Sequence, residues 1–341
     1  MSETLIYILF LPGFIILVKG ADWLVNGSCS LARRLQVSDL IVGLTIVAFG
    51  TSSPEFFVNI YASASGNTEI AIGNILGANI ANIFLILGIS ATIFPLIVTK
   101  DTTWKVVPLL FLASLMVSII ANDHIIDHKN ISELTRIDGL VLLAFFSIYL
   151  YFVFETARSE HRSSAVTPAK DEVIIPSKIT IISVSERVIP DGITKSLFFV
   201  FIGLVALFVG SNCVVNGAVT IAKALGVSES FIGLTIVAIG TSSPELVTSV
   251  IAALKKNADI SVGNAVGSCI FNVFAILGTS VVIRPMPFNE KVNSDIIITI
   301  LSSILLFFFI LFGKKYTLSR RQGVTFLILY VCYIIFLIMR G

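Results

Sequence analysis

The sequence predicts an all-α integral membrane protein whose ten transmembrane helices form two inverted repeats of five helices each. The first observation behind this prediction is composition: 56% of the 341 residues are hydrophobic and 13% are charged, whereas a soluble domain is about 25% charged. The second is an internal repeat, because residues 43–88 and 233–278 align without a gap and are identical at 24 of 46 positions.

Ten stretches are apolar and long enough to cross a bilayer, which takes about 20 residues: 4–25, 37–64, 70–97, 106–122, 137–154, 196–217, 229–254, 260–283, 294–312 and 323–339. We do not expect the first to be a cleaved signal peptide, because its end, Gly20 to Gly27, recurs loosely at Gly210 to Gly217. The sequence therefore predicts a first repeat over 1–154, a polar linker over 155–195 and a second repeat over 196–341.

The order of the spans and the loop charges predict a topology. Equivalent spans lie five apart, and because five is odd the second repeat must cross the membrane in the opposite direction. Basic residues collect in cytoplasmic loops, and 16 of the 23 Lys and Arg residues lie in the loops after spans 1, 3, 5, 7 and 9. We therefore expect these loops, including the 155–195 linker, to be cytoplasmic and both termini to be extracytoplasmic. The short loops suit the plasma (inner) membrane of a prokaryote.

The sequence GTSSPE occurs once in each repeat, ending at Glu55 and at Glu245. Proline lacks an N–H group and clashes with the carbonyl one turn back, and glycine weakens a helix. The pattern therefore predicts a break near the middle of spans 2 and 7, which frees backbone carbonyls, including those of Ala48 and Ala238. Irregular backbone is tolerated at this depth where it lines a cavity or is buried in protein.

A glutamate inside a membrane span is costly and usually functional. The two glutamates, the neighbouring hydroxyls and the freed carbonyls form an all-oxygen set, which suits hard cations such as Ca²⁺ or Na⁺ and not soft metals. A kinked structural helix is the alternative, since Ser and Thr often repair a proline kink. A glutamate at the same offset in both copies favours one ion site between the repeats.

A second pair of similar segments, GNILGANIAN and GNAVGSCIFN, lies early in spans 3 and 8. The second glycine of each segment is expected to let another helix approach closely. Asn82 and Asn272 lie about one turn deeper, where an amide oxygen can coordinate a cation; bridging two helices is the alternative role. Asn74 and Asn264 are expected to be structural because they lie nearer the membrane edge.

Other functional classes lack the residues that they need. The three histidines lie in loops, and the sequence contains neither an HExxH nor a GxSxG motif, which argues against intramembrane hydrolases. The four cysteines are scattered without a CxxC pair and are expected to be small core residues. The net charge of +2 does not indicate nucleic-acid binding. We therefore predict no enzyme activity, no cofactor and no protein partner, and interactions with the lipid bilayer and inorganic cations.

The paired GTSSPE motifs, each followed by GN-x-x-G-x-x-x-x-N, resemble those of the cation/calcium exchanger superfamily and look most like those of prokaryotic sodium/calcium exchangers. The resemblance implies that spans 2, 3, 7 and 8 form a core around the ions and that spans 1 and 6 form a mobile layer. It implies these ion ligands: Thr51, Ser52, Glu55, Asn82, Thr241, Ser242, Glu245, Ser268 and Asn272, with the backbone carbonyls of Ala48 and Ala238.

Two positions depart from the pattern of some relatives. Asn272 stands where several archaeal and potassium-dependent members of the superfamily carry aspartate, so two carboxylates remain in the core. Ala78 stands where many members carry serine, which removes one hydroxyl from a peripheral sodium site.

The resulting hypothesis is alternating-access antiport of Na⁺ against Ca²⁺, in which two carboxylates balance one Ca²⁺ and Na⁺ ions compete for the same oxygens. A core without ions would bury two negative charges, which is costly and discourages an unloaded crossing. A cation/proton antiporter on the same fold remains an alternative, because buried glutamates can carry protons. A passive cation channel is a more remote one, since channels more often build a filter from identical subunits around a central pore.

Overall fold

The computed structural model describes residues 3–66, 68–98, 102–126, 128, 132–166, 192–224, 238–312 and 316–340. This part of the chain is predominantly helical, as the composition predicts. Its helices are α1 (Glu3–Leu35), α2 (Asp39–Thr51), α3 (Ser53–Ser65), α4 (68–93), α5 (102–120), α6 (Asp123–Ile126), α7 (Arg136–Val166), α8 (Ile193–Ala224), α9 (Ala238–Thr241), α10 (Ser243–Leu254), α11 (Ala258–Ile283), α12 (Asn293–Phe312) and α13 (Arg320–Arg340). Wider π-helical turns occupy Gly43–Val47, Ala81–Ile86, Thr102–Val106 and Asn272–Leu277.

The lengths of the helices agree with a protein that crosses the membrane many times. Eight described segments are long and apolar enough to span a bilayer, and α2 and α3 form a ninth span as a pair bent by 47°. α10 is shorter, and the residues that would complete the predicted span 7, 225–237, lie outside the described part of the chain. The order of these helices matches the order of the predicted spans.

Four two-residue strands pair across the two repeats: β1 (Leu96–Ile97), β2 (Glu133–Leu134), β3 (Met286–Pro287) and β4 (Thr317–Leu318). β1, after span 3, pairs antiparallel with β4, before span 10, and β2, before span 5, pairs antiparallel with β3, after span 8. Loops that pair must lie on the same side of the membrane, so an even number of crossings separates them. α7, α8 and α11 supply three crossings between β2 and β3, so the pairing requires a fourth. α9 and α10 are the described helices that lie between α8 and α11 in the chain. The strand pairing therefore agrees with ten spans in two inverted halves.

α1 and α8 pack against each other along a seam of glycines. These recur every seven residues on both helices: Gly13, Gly20 and Gly27 on α1, and Gly203, Gly210 and Gly217 on α8. A Cβ atom at Gly20 would lie 2.8 Å from the backbone nitrogen of Leu207, and one at Gly203 would lie 2.8 Å from the carbonyl oxygen of Gly20. Because small residues at regular spacing let backbones touch, α1 and α8 form one closely packed layer.

The layer formed by α1 and α8 contacts α10 and its repeat counterpart α3 unequally. α1 is fastened to the end of α10, where the Lys255 ammonium lies 2.5 Å from the Asp22 carboxylate and 2.7 Å from Asn26 Oδ1. Thr248 in α10 is completely buried, whereas its repeat counterpart in α3, Val58, is 41% exposed. The face of α10 that carries Thr248 is thus covered, whereas the equivalent face of α3 at Val58 is more exposed.

The long helix α7 differs from the predicted boundary of the first repeat. It ends at Val166, beyond residue 154, where the sequence predicts the linker to begin. Residues 155–166 contain neither proline nor glycine, and Pro168 follows, so nothing in the sequence ends the helix earlier. Residues 167–191 of the linker lie outside the described residues.

Replacing Gly20 by leucine should force the two backbones of the seam apart. Overpacking of this kind typically costs about 1–3 kcal/mol, so we expect Gly20→Leu to lower the melting temperature of the purified protein in detergent by several degrees. Ile15→Leu, at a position on α1 that is 66% exposed, is the matched control and should melt like the wild type. Equal melting temperatures for both variants would contradict the proposed role of the seam.

Candidate cation site

Both GTSSPE motifs break their helices at the same residue. Ser52 separates α2 from α3 with φ −81° and ψ 7°, and Ser242 separates α9 from α10 with φ −85° and ψ 8°. The proline that follows lies in the first turn of the next helix, where a missing N–H is tolerated. The predicted break is therefore confirmed in both repeats. Glu55 and Glu245, in the same helical turns, are 2% and 1% exposed.

The break does not free the carbonyl of Ala48, contrary to the prediction from the sequence. This oxygen accepts a hydrogen bond from the backbone N–H of Ser52 at 3.0 Å and lies 3.3 Å from the Thr51 hydroxyl oxygen. The helical hydrogen bond thus persists up to the residue at the break. A carbonyl oxygen has two lone pairs, so this bond leaves one of them for another partner. In the second repeat the described chain resumes at Ala238 after the gap at 225–237.

The carbonyl that loses its partner lies two residues further along. Pro54 and Pro244 lack the N–H that would bond the carbonyl four residues earlier, which belongs to Gly50 or Gly240. In the second repeat two hydroxyls replace it, because Ser243 Oγ lies 2.7 Å and Ser211 Oγ 2.9 Å from the Gly240 oxygen. Ser211 belongs to α8, so this repair also attaches the outer layer to the break.

The half of the site around Glu245 contains hydrogen bonds between the repeats. The Ser52 hydroxyl lies 2.7 Å from Glu245 Oε1 and 2.9 Å from Ser268 Oγ. Ser52 and Ser268 are 1% and 0% exposed, so these bonds form away from solvent. The other oxygen of Glu245, Oε2, has no hydrogen-bond partner among the described residues.

The half around Glu55 contains fewer hydrogen bonds. Both carboxylate oxygens of Glu55 are buried, and within the described ranges neither makes a hydrogen bond of good geometry. The Ser242 hydroxyl makes none either, but it lies close enough to stabilise the Glu55 carboxylate. Glu245 lies close enough for the two carboxylates to repel each other. Buried charges without partners are strongly unfavourable, so the arrangement is suited to accept a cation.

The predicted asparagines lie in the π-helical turns of α4 and α11. Such turns are frequent at functional sites. Asn82 and Asn272 are each 1% exposed, and in the described structure neither Oδ1 atom has a hydrogen-bond partner. The Nδ2 group of Asn272 donates to Asn79 Oδ1 at 3.0 Å, which fixes the amide and leaves its oxygen for another ligand.

Asn79 was not identified from the sequence as part of the site. It is completely buried, and its Nδ2 group also donates to the backbone oxygen of Cys269 at 3.3 Å. The sequence gives little indication of this role, because the equivalent position in the second repeat is Cys269 and not asparagine. Asn79 therefore positions Asn272 through a contact between α4 and α11.

Asn264 has the structural role that its position predicts. Its Oδ1 accepts a hydrogen bond from Thr51 Oγ1 at 3.0 Å, and its Nδ2 group lies 2.9 Å from Ser249 Oγ and 3.2 Å from the Glu245 carbonyl oxygen. These contacts use both ends of the amide. They join α11 to both broken helices and hold the two motifs in register.

The predicted close helix approach is confirmed for Gly267. A Cβ atom there would lie 2.8 Å from Ala48 Cβ and 2.9 Å from the Leu44 carbonyl oxygen, so α11 contacts the backbone of α2 directly. The equivalent atom at Gly77 would have no described neighbour within 4 Å.

Aromatic rings form an apolar wall beside the site. The ring of Phe271, next to Asn272, stacks on Phe49 at a centroid distance of 4.7 Å and lies 5.7 Å from Phe146 and 6.2 Å from Phe56. Apolar walls exclude water and lower the local dielectric constant, which strengthens the interaction between a cation and a carboxylate.

The chemistry of the site follows from its oxygen atoms. The described residues contain no group of three or more His, Cys, Asp and Glu side chains that could hold a metal ion, so the site relies on two carboxylates and neutral oxygens. Among the predicted site residues, those with a buried oxygen that lacks a hydrogen-bond partner in the described structure are Glu55, Glu245, Asn82, Asn272 and Ser242. Thr241 is half-buried beside the second break. Such a set fits hard cations with a total charge near +2.

Several known proteins are similar to this chain in sequence. The family described as sodium/calcium exchanger protein matches residues 5–155 and 195–339. The putative antiporter CaxA of Alkalimonas amylolytica is 34% identical over 328 residues, which cover 96% of each chain. The sodium/calcium exchanger MaX1 of Methanosarcina acetivorans is 29% identical over 352 residues, which cover 98% of this chain and 99% of MaX1.

A solved structure shows the same likeness in three dimensions. The sodium-calcium exchanger NCX_Mj, soaked with 2.5 mM Na⁺ and 10 mM Sr²⁺, superimposes with a TM-score of 0.79 at 34% identity, covering 98% of this chain and 99% of that chain. The matched regions include both broken helices and both asparagine segments. On this evidence the chain belongs to the sodium/calcium exchanger family.

Proposed function

We propose that this protein exchanges Na⁺ for Ca²⁺ across the plasma membrane of a prokaryote by alternating access. The observation that carries this proposal is the pair of buried glutamates, one from each repeat, with three carboxylate oxygens that lack donors among the described residues. A carboxylate pair of this kind needs cations to be stable inside a membrane. The oxygen ligands suit Ca²⁺, and the relatives named as sodium/calcium exchangers support Na⁺ as the counter-ion.

The proposed ligands divide into a central and a peripheral group. Glu55 and Glu245 would hold Ca²⁺ between them, supported by the amide oxygens of Asn82 and Asn272. The remaining oxygens would complete positions for Na⁺: the hydroxyls of Thr51, Ser52, Thr241, Ser242 and Ser268, and the backbone carbonyls of Ala48 and Ala238. Because both ions use the two carboxylates, they would compete, and competition links the two fluxes.

The unequal covering of the core supports alternating access. By the distribution of basic residues, α10 leads to a cytoplasmic loop and α3 to an extracytoplasmic one. α1 covers α10, whereas Val58 of α3 is 41% exposed, so this conformation would be closed on the cytoplasmic side. Movement of the α1–α8 layer across the core would reverse the covering and expose the site to the other side.

Exchange can be measured as ⁴⁵Ca²⁺ uptake into Na⁺-loaded proteoliposomes diluted into Na⁺-free buffer. Glu55→Gln and Glu245→Gln each remove one of the two charges that balance Ca²⁺, so we expect either to lower the initial rate roughly tenfold or more, a factor that corresponds to about 1.4 kcal/mol. Glu155→Gln, which changes an exposed carboxylate of α7, is the matched control.

Intact uptake in both site variants would refute the assignment of the glutamates. An imposed pH gradient serves as the comparison for the coupling ion. Uptake that needs internal Na⁺ supports sodium/calcium exchange, and uptake driven by the proton gradient alone would replace Na⁺ by H⁺ as the coupling ion.

Asn79 should influence Ca²⁺ binding through Asn272 without touching the ion. Asn79→Ala removes the acceptor of the Asn272 amide, and losing one net hydrogen bond is worth about 1 kcal/mol. We expect the Ca²⁺ concentration that gives the half-maximal uptake rate to rise about fivefold, while the maximal rate changes less than twofold. A fall in the maximal rate alone, with half-saturation unchanged, would indicate a general structural effect instead.

The proposed orientation can be tested by cysteine labelling. Lys170→Cys lies in the linker expected to be cytoplasmic, and Lys291→Cys lies in the loop expected to be extracytoplasmic. In a variant without the native cysteines, a membrane-impermeant maleimide should label residue 291 in right-side-out vesicles and residue 170 in inside-out vesicles. The opposite pattern would reverse the topology.

A further inference from the structure

The contact between α1 and the end of α10 carries charges that its counterpart in the other half lacks. Lys255 follows the last residue of α10, and its ammonium group has three donors. The ammonium lies 2.5 Å from the Asp22 carboxylate, 2.7 Å from Asn26 Oδ1 and 3.1 Å from the Asp22 carbonyl oxygen. Three acceptors on α1 thus hold one cation from the core. We refer to Asp22, Asn26 and Lys255 as the charged contact.

The charged contact is only partly open to solvent. The side chains of Lys255 and Asp22 are 20% and 38% exposed. Partial removal from water reduces screening by salt and strengthens the attraction between the two charges. Since α1 forms the outer layer together with α8, the charged contact fastens this layer to α10.

The repeat places neutral residues at the same three positions of the other half. These residues are Asn212 and Asn216 of α8 and Ser65 of α3, which correspond to Asp22, Asn26 and Lys255. All three are exposed in this conformation. The Asn212 amide donates to a carbonyl oxygen of its own helix, that of Phe208, at 2.8 Å. The charged contact is therefore closed while its neutral counterpart is open.

The opposite conformation of an inverted repeat exchanges the arrangements of the two halves. In that conformation the outer layer leaves α10 and covers α3. The charged contact is then broken, and the neutral residues meet in its place. Asparagine and serine can form a hydrogen bond, but such a bond is weaker than one between charged groups. The two conformations therefore differ in free energy, although the repeat relates their folds.

We propose that the ion pair between Asp22 and Lys255 biases the protein toward the conformation in which α10 is covered. The proposed orientation places this covered end on the cytoplasmic side. The inference rests on the proposed exchange function and adds a preferred resting conformation to it. Neither residue belongs to the cation site, so the bias acts on the protein with and without bound ions.

A cysteine at residue 248 can report on this bias. Thr248 lies on the covered face of α10 and is completely buried, so a cysteine there should react with a membrane-impermeant maleimide when the layer has left α10. The test uses the full-length protein without its native cysteines, carrying Thr248→Cys, in inside-out vesicles. Saturating Ca²⁺ on both sides keeps the cation site filled in every variant.

Two substitutions give the charged contact the residues of its neutral counterpart. Lys255→Ser copies Ser65, and Asp22→Asn copies Asn212. The loss of a partly exposed ion pair that includes hydrogen bonds to a charged group should shift the equilibrium about threefold to tenfold. We expect each variant to raise the labelling rate of residue 248 by this factor. Lys256→Ser removes the neighbouring exposed lysine, and this matched control should label at the background rate.

The double variant separates the ion pair from effects of the single residues. Each charge loses its partner as soon as the other is removed, so Asp22→Asn combined with Lys255→Ser should label no faster than the faster single variant. Additive increases would show that the two residues act independently and would overturn the proposal.

A converse variant moves the ion pair to the other half. Asn212→Asp combined with Ser65→Lys should create a charged contact that forms only when the layer covers α3. We expect this variant to raise the labelling rate of residue 248 although Asp22 and Lys255 are unchanged. It replaces Lys255→Ser in the test if that variant does not fold, which gel filtration will show.

Exchange of ⁴⁵Ca²⁺ for Na⁺ or Ca²⁺ by the same background protein distinguishes the two ways in which the inference can fail. Equal labelling rates in the background protein, Lys255→Ser and Asp22→Asn, with exchange intact, would overturn the bias and leave the exchange function standing. A background protein that folds but exchanges ⁴⁵Ca²⁺ for neither ion would refute the exchange function, and this inference with it.

Discussion

The burial of two like-charged carboxylates is the constraint on which the rest of this structure depends. Glu55 and Glu245 are almost completely removed from solvent and lie close enough to repel each other. An interior of this kind is unfavourable unless the charges are balanced. The surrounding features all supply oxygen atoms or hold them in place: the breaks at two serines, the π-helical turns and the hydrogen-bonded hydroxyls of Ser52 and Ser268.

The repeat architecture meets this constraint by dividing the site between the halves. Ser52 of the first repeat donates to Glu245 of the second, and Thr51 donates to Asn264 across the same boundary. The paired strands join the ends of the same halves, and the glycine seam joins their first helices. The hydrogen bonds, the paired strands and the glycine seam therefore all connect the two repeats. The carboxylates cannot separate without disturbing the whole core.

Much of this arrangement could be predicted from the sequence because it depends on local chemistry. The breaks follow from Gly and Pro, the burial of the glutamates from their apolar surroundings, and the role of Asn264 from its depth. The contacts of Asn79 depend on the register between α4 and α11, which neither repeat encodes alone. The prediction for the Ala48 carbonyl was wrong because a proline affects the carbonyl four residues earlier, which belongs to Gly50 or Gly240. At Gly240, hydroxyls from Ser211 and Ser243 replace the lost N–H, and the Ser211 hydroxyl can do so only after α8 has packed against the break.

The hydrogen bond between Ser52 and Glu245 also limits how such a chain can arise. An isolated half carries one of the two glutamates and the serine that serves the other half. Two copies of one half rebuild both interactions only when they insert into the bilayer in opposite directions. Joining the two copies in a single gene ensures that each protein contains one copy in each orientation. An odd number of helices per copy is what makes the second copy enter the membrane in the opposite direction. An odd number of helices in the repeat is thus a requirement of the ion site.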